Sequence, residues 1–228
     1  MKQYQVRVSR EEALRYLGYH GTAADTVVTG QLEEAVTLLE RIAVPACTHT
    51  ICELVRESAE TFRLKGTSVL LQGETARSFL EECHSCVMMA VTIGRGVDAE
   101  LRRRQITDMA GAVILDSCAS SAVESVCEQL QADLEKNYQT QGMYLTDRFS
   151  PGYGDLPLSL QPEICRALSA EKRIGLSLTG GMLMMPTKSV TALIGIANRP
   201  QPKKLSGCSR CQMKESCNYR KAGATCAE

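Results

Sequence analysis

Six residues in the second half of the chain, Arg148-Phe-Ser-Pro151-Gly152-Tyr153, bring together a permanent cation, a rigid turn and a flat aromatic face. A guanidinium offers a planar fork of donors that matches a carboxylate. Gly152 lets a ligand come close to the backbone, and Tyr153 adds an aromatic surface with a polar tip. The set suits a ligand that carries both a carboxylate and an aromatic base. Pro-Gly is also ordinary turn chemistry, so a turn with a solvated arginine satisfies the same residues. A second cluster ends the chain: Cys208, Cys211, Cys217 and Cys226 crowd into the last 21 residues, the first two as C-x2-C. Such spacings let thiolates converge on one metal or cluster, with Arg210, Lys214, Arg220 and Lys221 placed to stabilise them. Spacing alone leaves zinc, an iron–sulfur cluster and free thiols open. Cys83-His84-Ser85-Cys86 repeats the C-x2-C pattern but enters an apolar run, where alternation turns its thiols to opposite faces, and it reads as core.

Composition narrows the classes. Hydrophobic residues make up 44% and charged residues 23% of 228, the balance of a globular protein long enough to bury a sizeable core. Lys plus Arg equals Asp plus Glu at 26 each, so no overall field draws the chain to nucleic acid or acidic lipid. With no Trp and three Phe there is little material for base stacking. The N-terminal stretch lacks the apolar core of a signal peptide, and the apolar run Val87 to Val91 is too short to span a bilayer. A soluble cytoplasmic protein is the expectation, with no nucleic-acid or membrane partner. In that setting the eleven cysteines read as buried thiols and metal ligands rather than disulfides.

The elements that must hold these residues follow from periodicity and caps. Ser9-Arg-Glu-Glu12 is a capping box opening a short helix that ends near Gly18. Residues 31–42 are helical and stopped by Pro45, residues 48–64 hold two short strands, and residues 75–82 are helical. Residues 86–93 form a buried strand. A long helix runs over 98–138, broken near Thr107, and its many Ala, Ser, Cys and Gly residues let another backbone approach closely. Residues 142–149 form a strand, 150–157 a loop, and 161–169 a helix with Pro162 in its first turn. Strands at 174–178 and 189–197 are joined through Gly180-Gly181 and Pro186. Arg199-Pro-Gln-Pro-Lys-Lys is a linker by composition. The fold class is α+β, with a mainly antiparallel twisted sheet, a long central helix and flanking helices. Residues 1–198 form the domain, and 199–228 the linker and Cys-rich tail.

Arg-x-x-x-Gly-Tyr resembles the S-adenosylmethionine signature of the activation domain of cobalamin-dependent methionine synthase. It lies where that family has it, after the long helix and before the last hairpin. The helix Ala119-Ser-Ser-Ala-Val-Glu124-Ser-Val and the stretch Met184-Met-Pro186-Thr-Lys188-Ser189-Val190 are also similar to the family, so that the resemblance covers roughly Thr67 to Ala197. It implies that Arg148 pairs with the methionine carboxylate and that the backbone around Ser150 holds the adenine. Gly152 and Tyr153 then shape the adenine pocket, and Glu124 is the acidic contact. A ligand with an ammonium and a sulfonium attracts such a carboxylate on physical grounds as well, although an exposed helical glutamate needs no ligand. Ser117, Ser120, Ser121 and Ser125 around Glu124 are expected to leave open space. The chain departs from the family twice: its early acidic segment is not found, and Ile194 stands where the family has a tyrosine.

The resemblance further implies reductive remethylation of cobalamin held by a partner. That partner is a methionine synthase lacking its own activation domain or another corrinoid protein, supplied by a low-potential electron donor. The tail cysteines then favour an iron–sulfur cluster over zinc, because reactivation needs an electron. A rival reading keeps the fold but makes the chain a non-catalytic iron–sulfur or zinc redox adaptor.

Overall fold

The computed structural model describes residues 3–19 and 24–202. The chain forms helices α1 (Arg10–Tyr16) and α2 (Thr26–Ile42), strands β1 (Ala46–Arg56), β2 (Thr61–Leu64) and β3 (Leu70–Gln72), then helix α3 (Glu74–Leu80) and strand β4 (Cys83–Thr92). Helices α4 (Arg95–Thr107) and α5 (Met109–Gln139) precede the short strand β5 (Tyr144–Leu145). Helices α6 (Gln161–Ala167) and α7 (Ala170–Ile174) lead to β6 (Ser177–Leu178), β7 (Met184–Met185) and β8 (Ser189–Ala197). A six-stranded, mainly antiparallel sheet has the order β3-β2-β1-β4-β8-β5, and β6 with β7 makes a separate hairpin. The expected α+β class and long central helix are present.

Two compact units divide the chain. One gathers the described parts of Met1–Thr50, Met89–Lys136 and Gln161–Thr191. Its spine is α5, with fourteen residues from Gly111 to Leu134 buried. By length and composition α5 could cross a membrane, yet 67% of its apolar window is buried inside the fold, the pattern of a core helix. Its start is set by Asp108, which ends α4 and whose carboxylate then accepts from the Gly111 amide at 3.0 Å. The expected break near Thr107 is this cap.

The small residues of α5 do admit another backbone, and it is the chain's own N-terminus. The amide of Gln5 donates to Gln129 Oε1, that of Arg7 to Ser125 Oγ at 2.9 Å and that of Ser9 to Ser121 Oγ at 3.0 Å. Gln129 Nε2 returns a bond to Gln5 O at 2.7 Å, and the Tyr4 hydroxyl donates to Asp133. Two residues of extended chain advance about 6.6 Å and four of helix about 6.0 Å, so alternate amides meet every fourth helical side chain. The Ser9 cap is accordingly half of the expected box: its hydroxyl accepts from Glu12 N, but its amide serves Ser121 rather than the Glu12 carboxylate.

The other unit gathers the described parts of Ile51–Met88, Asn137–Leu160 and Ala192–Glu228. Its centre holds Phe62, Leu64, Leu71, Leu80, Val87 and Met88, all at most 1% exposed. Several boundaries differ from expectation. Helix α2 begins at Thr26, capped by the Asp25 side chain on Val28 N, and the first strand is a single run of eleven residues. Residues 170–174 are helical because Gly175, at φ 68°, closes a turn there and leaves only Ser177–Leu178 to pair.

Candidate functional site

Arg148 sits on a β-bulge. Tyr144 pairs with Ala197 and Leu145 with Ile196, and the Thr146 amide donates to Gly195 O at 3.0 Å. Continued without a break, that register would set Phe149 opposite Ala192. Phe149 instead bridges Leu193, with Phe149 N donating to Leu193 O at 3.0 Å and Leu193 N to Phe149 O at 2.8 Å. Asp147 and Arg148 therefore lie opposite the single residue Ile194, which is fully buried. Bulges of this kind bend an edge strand and re-aim its side chains. This is why the expected continuous strand 142–149 is a two-residue ladder and an isolated bridge. Ile194 is the residue facing the bulge.

The chain turns at once. Ser150 O accepts from Tyr153 N at 3.0 Å, with Pro151 and Gly152 between them and Gly152 at φ 90°, a type II turn. A Cβ on Gly152 would meet only Leu158 Cδ1 at 3.7 Å, so glycine is required here by backbone conformation rather than by lack of room. Gly152 N donates to Leu156 O at 2.8 Å and Leu156 N to Tyr153 O at 3.0 Å, closing the loop on itself. Pro151 and Leu156 are buried beneath it, while Gly152 is exposed and Arg148, Ser150 and Tyr153 are half-buried.

Helix α3 is the loop's platform. Phe79 stacks on Phe149 with ring centroids 4.6 Å apart and meets Tyr153 edge-on at 6.4 Å. Asp155 accepts from the amides of Glu74 and Thr75, and its own amide donates to Thr75 Oγ1. Neither Phe79 nor Asp155 is marked by motif or spacing. Their partners lie about 70 to 80 residues away in sequence, and only the Gly154-Asp155 pair in a turn-rich stretch hints at a role.

The structure thus brings Arg148, Ser150, Gly152 and Tyr153 into one small loop. Glu124 lies half-buried on α5, in the other unit. There, burial, a 2.9 Å hydrogen bond to Glu12 and the charges of Glu12 and Glu124 push the Tyr16 hydroxyl up to about 12. The open space expected at the serines near Glu124 is there in part: Ser121 and Ser125 line a cleft together with Arg7, Ser9, Glu12 and Glu128. Ser121 and Ser125 hold the N-terminal segment, Ser117 Oγ donates to Ile114 O, and Ser120 receives Lys188 Nζ at 2.9 Å. Lys188 also pairs with Asp116 at 2.8 Å, and the neighbouring Thr187 donates from both amide and hydroxyl to the buried Asp98. Helices α4 and α5 thereby hold the Pro186 turn that precedes β8.

Cys208, Cys211, Cys217 and Cys226 lie outside the described residues. Among the described residues no group of three or more His, Cys, Asp or Glu side chains is placed to hold a metal. Cys83 and Cys86 alternate within β4 as expected; Cys86 is fully buried and its thiol is pushed up by that burial.

A search of curated proteins by sequence returned no match. In structure the chain is similar to a crystal structure of the MetH reactivation domain bound to AdoHcy, with a TM-score of 0.64 at 12% identity. The likeness covers 97% of this chain and 89% of that one, which establishes a shared fold. In sequence, the profile of the vitamin B12 dependent methionine synthase activation domain matches residues 80–221, a span that starts later than Thr67 and continues past Ala197. That span is more than half of the chain and includes the long helix, the bulge and the type II turn, so this chain belongs to the vitamin B12 dependent methionine synthase activation domain family.

Proposed function

We propose that this chain is a stand-alone reactivation subunit that binds S-adenosylmethionine and presents its methyl group to cobalamin carried by a partner. The partner is a methionine synthase lacking its own activation domain, or another corrinoid protein, working in the cytoplasm with a low-potential electron donor. The observation that carries this reading is the family's Arg-x-x-x-Gly-Tyr motif folded as an arginine bulge leading straight into a rigid turn. The donor set fits the ligand: a guanidinium for the methionine carboxylate, an exposed glycine that does not block the base, and a half-buried tyrosine ring beside it. Arg148 binds the carboxylate, the backbone around Ser150 holds the adenine, and Gly152 and Tyr153 shape its pocket. Glu124 complements the cationic end of the ligand. The AdoHcy carried by the similar reactivation domain supports this, since it is S-adenosylmethionine without the transferable methyl.

The partner's corrinoid, once reduced, supplies the cobalt nucleophile that accepts the methyl group. This chain's residues hold the ligand in place for that encounter and move no proton, so positioning is their contribution. In this reading residues 1–198 form the ligand-binding domain. Residues 199–228 form a tail in which Cys208, Cys211, Cys217 and Cys226 hold an iron–sulfur cluster, or zinc. Thermal unfolding with added ligand tests the binding step. S-adenosylmethionine at 100 times its dissociation constant should add about 2.7 kcal/mol to stability. No shift with either S-adenosylmethionine or AdoHcy at millimolar concentration would leave the loop without a ligand and favour the redox-adaptor reading.

A further inference from the structure

Asp155 lies beyond the motif, yet it fastens the motif to helix α3. Its two carboxylate oxygens accept from Glu74 N at 2.7 Å and Thr75 N at 2.9 Å, and its own amide donates to Thr75 Oγ1 at 3.2 Å. Those amides belong to the first turn of α3, whose N-cap position is Gly73 and supplies no side chain. An aspartate 80 residues away therefore does the capping. The fit is tight on both sides: a Cβ on Gly73 would run into the Asp155 carboxylate, and one on Gly154 into Thr75 Oγ1. Hydrogen bonds from Thr75, and then from the Glu74 amide, hold the Asp155 carboxyl below its ordinary value of 3.8.

The same helix grips the other flank of the motif, where Phe79 stacks on Phe149. Between these two anchors the loop contains Gly152 and Gly154, both with positive φ. Two such glycines give the unanchored loop many alternative conformations, and each anchor removes part of that freedom before a ligand arrives.

We propose that Asp155 is a positioning residue for the ligand loop, fixing the Ser150–Tyr153 turn against α3 so that the turn meets S-adenosylmethionine already formed. This rests on the reading that the loop binds that ligand. The test is calorimetric titration of S-adenosylmethionine into Asp155→Ala, Asp155→Asn and Arg148→Ala, at a temperature where circular dichroism shows each fully folded. Asp155→Ala should bind about tenfold more weakly, the effect of losing one good cap. Asp155→Asn, which keeps one acceptor oxygen, should fall between it and the parent, and AdoHcy should be weakened by the same factor. A cap of purely structural use would lower the unfolding midpoint and leave the affinity of the folded protein alone. That result in Asp155→Ala, with Arg148→Ala binding more weakly than the parent, overturns the positioning role and leaves the site standing. Unchanged affinity in Arg148→Ala as well removes the site and the proposal together. Should Asp155→Ala not fold, Asp155→Asn and Thr75→Val carry the test, and parental affinity in both overturns the proposal.

Discussion

Arg148 owes its place to one extra residue on an edge strand. Without the bulge, alternation would send residues 147 and 148 to opposite faces of a regular ladder with β8, and the turn would begin out of register. Replacing Arg148 by Ala should leave the fold intact, because the side chain is only half-buried. Ligand affinity should fall by about 1.5–3 kcal/mol, the usual cost of losing a charge-assisted contact; calorimetry on the folded variant showing parental affinity would remove Arg148 from the site. Glu124→Gln keeps shape and hydrogen bonding but loses charge. Its affinity for S-adenosylmethionine should drop by less than in Arg148→Ala, and its affinity for AdoHcy, whose sulfur is uncharged, should change less again. Equal losses for both ligands would mean that Glu124 senses no sulfonium. The arginine, the Pro-Gly turn and the tyrosine were legible in the sequence because turn chemistry is local. The bulge was not, since it exists only in the register between residues 146–149 and 193–195.

At the scale of elements, the N-terminal segment on α5 replaces a strand neighbour with a row of helical side chains. Deleting residues 1–9 should unpair the amide acceptors Ser121, Ser125 and Gln129, and free the α5 face that Tyr4 closes through Asp133. A single Ser125→Ala should cost about 1 kcal/mol in urea unfolding, and the deletion several times that; a deletion as stable as the parent would show that the segment is dispensable. On α4, hydrogen bonds from Arg103 and then Arg104 lower the Glu100 carboxyl from its ordinary 4.5 to about 2. A carboxyl lowered in the folded state contributes stability that is complete above its unfolded value and fades as pH falls from about 4.5 to about 2. Urea midpoints for Glu100→Gln should therefore lie below the parent's near neutral pH and converge with them near pH 2; parallel curves across that window would contradict the assignment. Periodicity found α1, α3, α4, α5, α6 and β8 because each buries one regular face or carries a clear cap. It missed β3, β7 and α7, which at two to five residues are too short to show a period and are fixed by contacts with their neighbours. The N-terminal pairing was equally hidden, since its partners are 112 to 129 residues apart.

For the whole molecule, the balanced charge conceals a division. Of the 26 basic residues seven fall in 199–228, against two of the 26 acidic ones, leaving 19 and 24 in residues 1–198. The tail thus carries +5 and the remainder −5, and a cationic stretch favours thiolates and an anionic cluster over neutral thiols. Protein purified without oxygen should contain iron and sulfide that are lost when Cys208, Cys211 and Cys217 are replaced together, while S-adenosylmethionine binding persists. One zinc per chain and no iron would end electron delivery by the tail and leave the ligand site untouched. The proposed reactivation turns on methyl transfer to a corrinoid held by another protein. The direct measurement is transfer of an isotopically labelled methyl group from S-adenosylmethionine to the cobalamin of a methionine synthase that lacks its own activation domain, under a low-potential reductant. Label should reach the corrinoid only when this chain is present, and Arg148→Ala should fail to support the transfer. Equal labelling with and without the chain would contradict its role in reactivation.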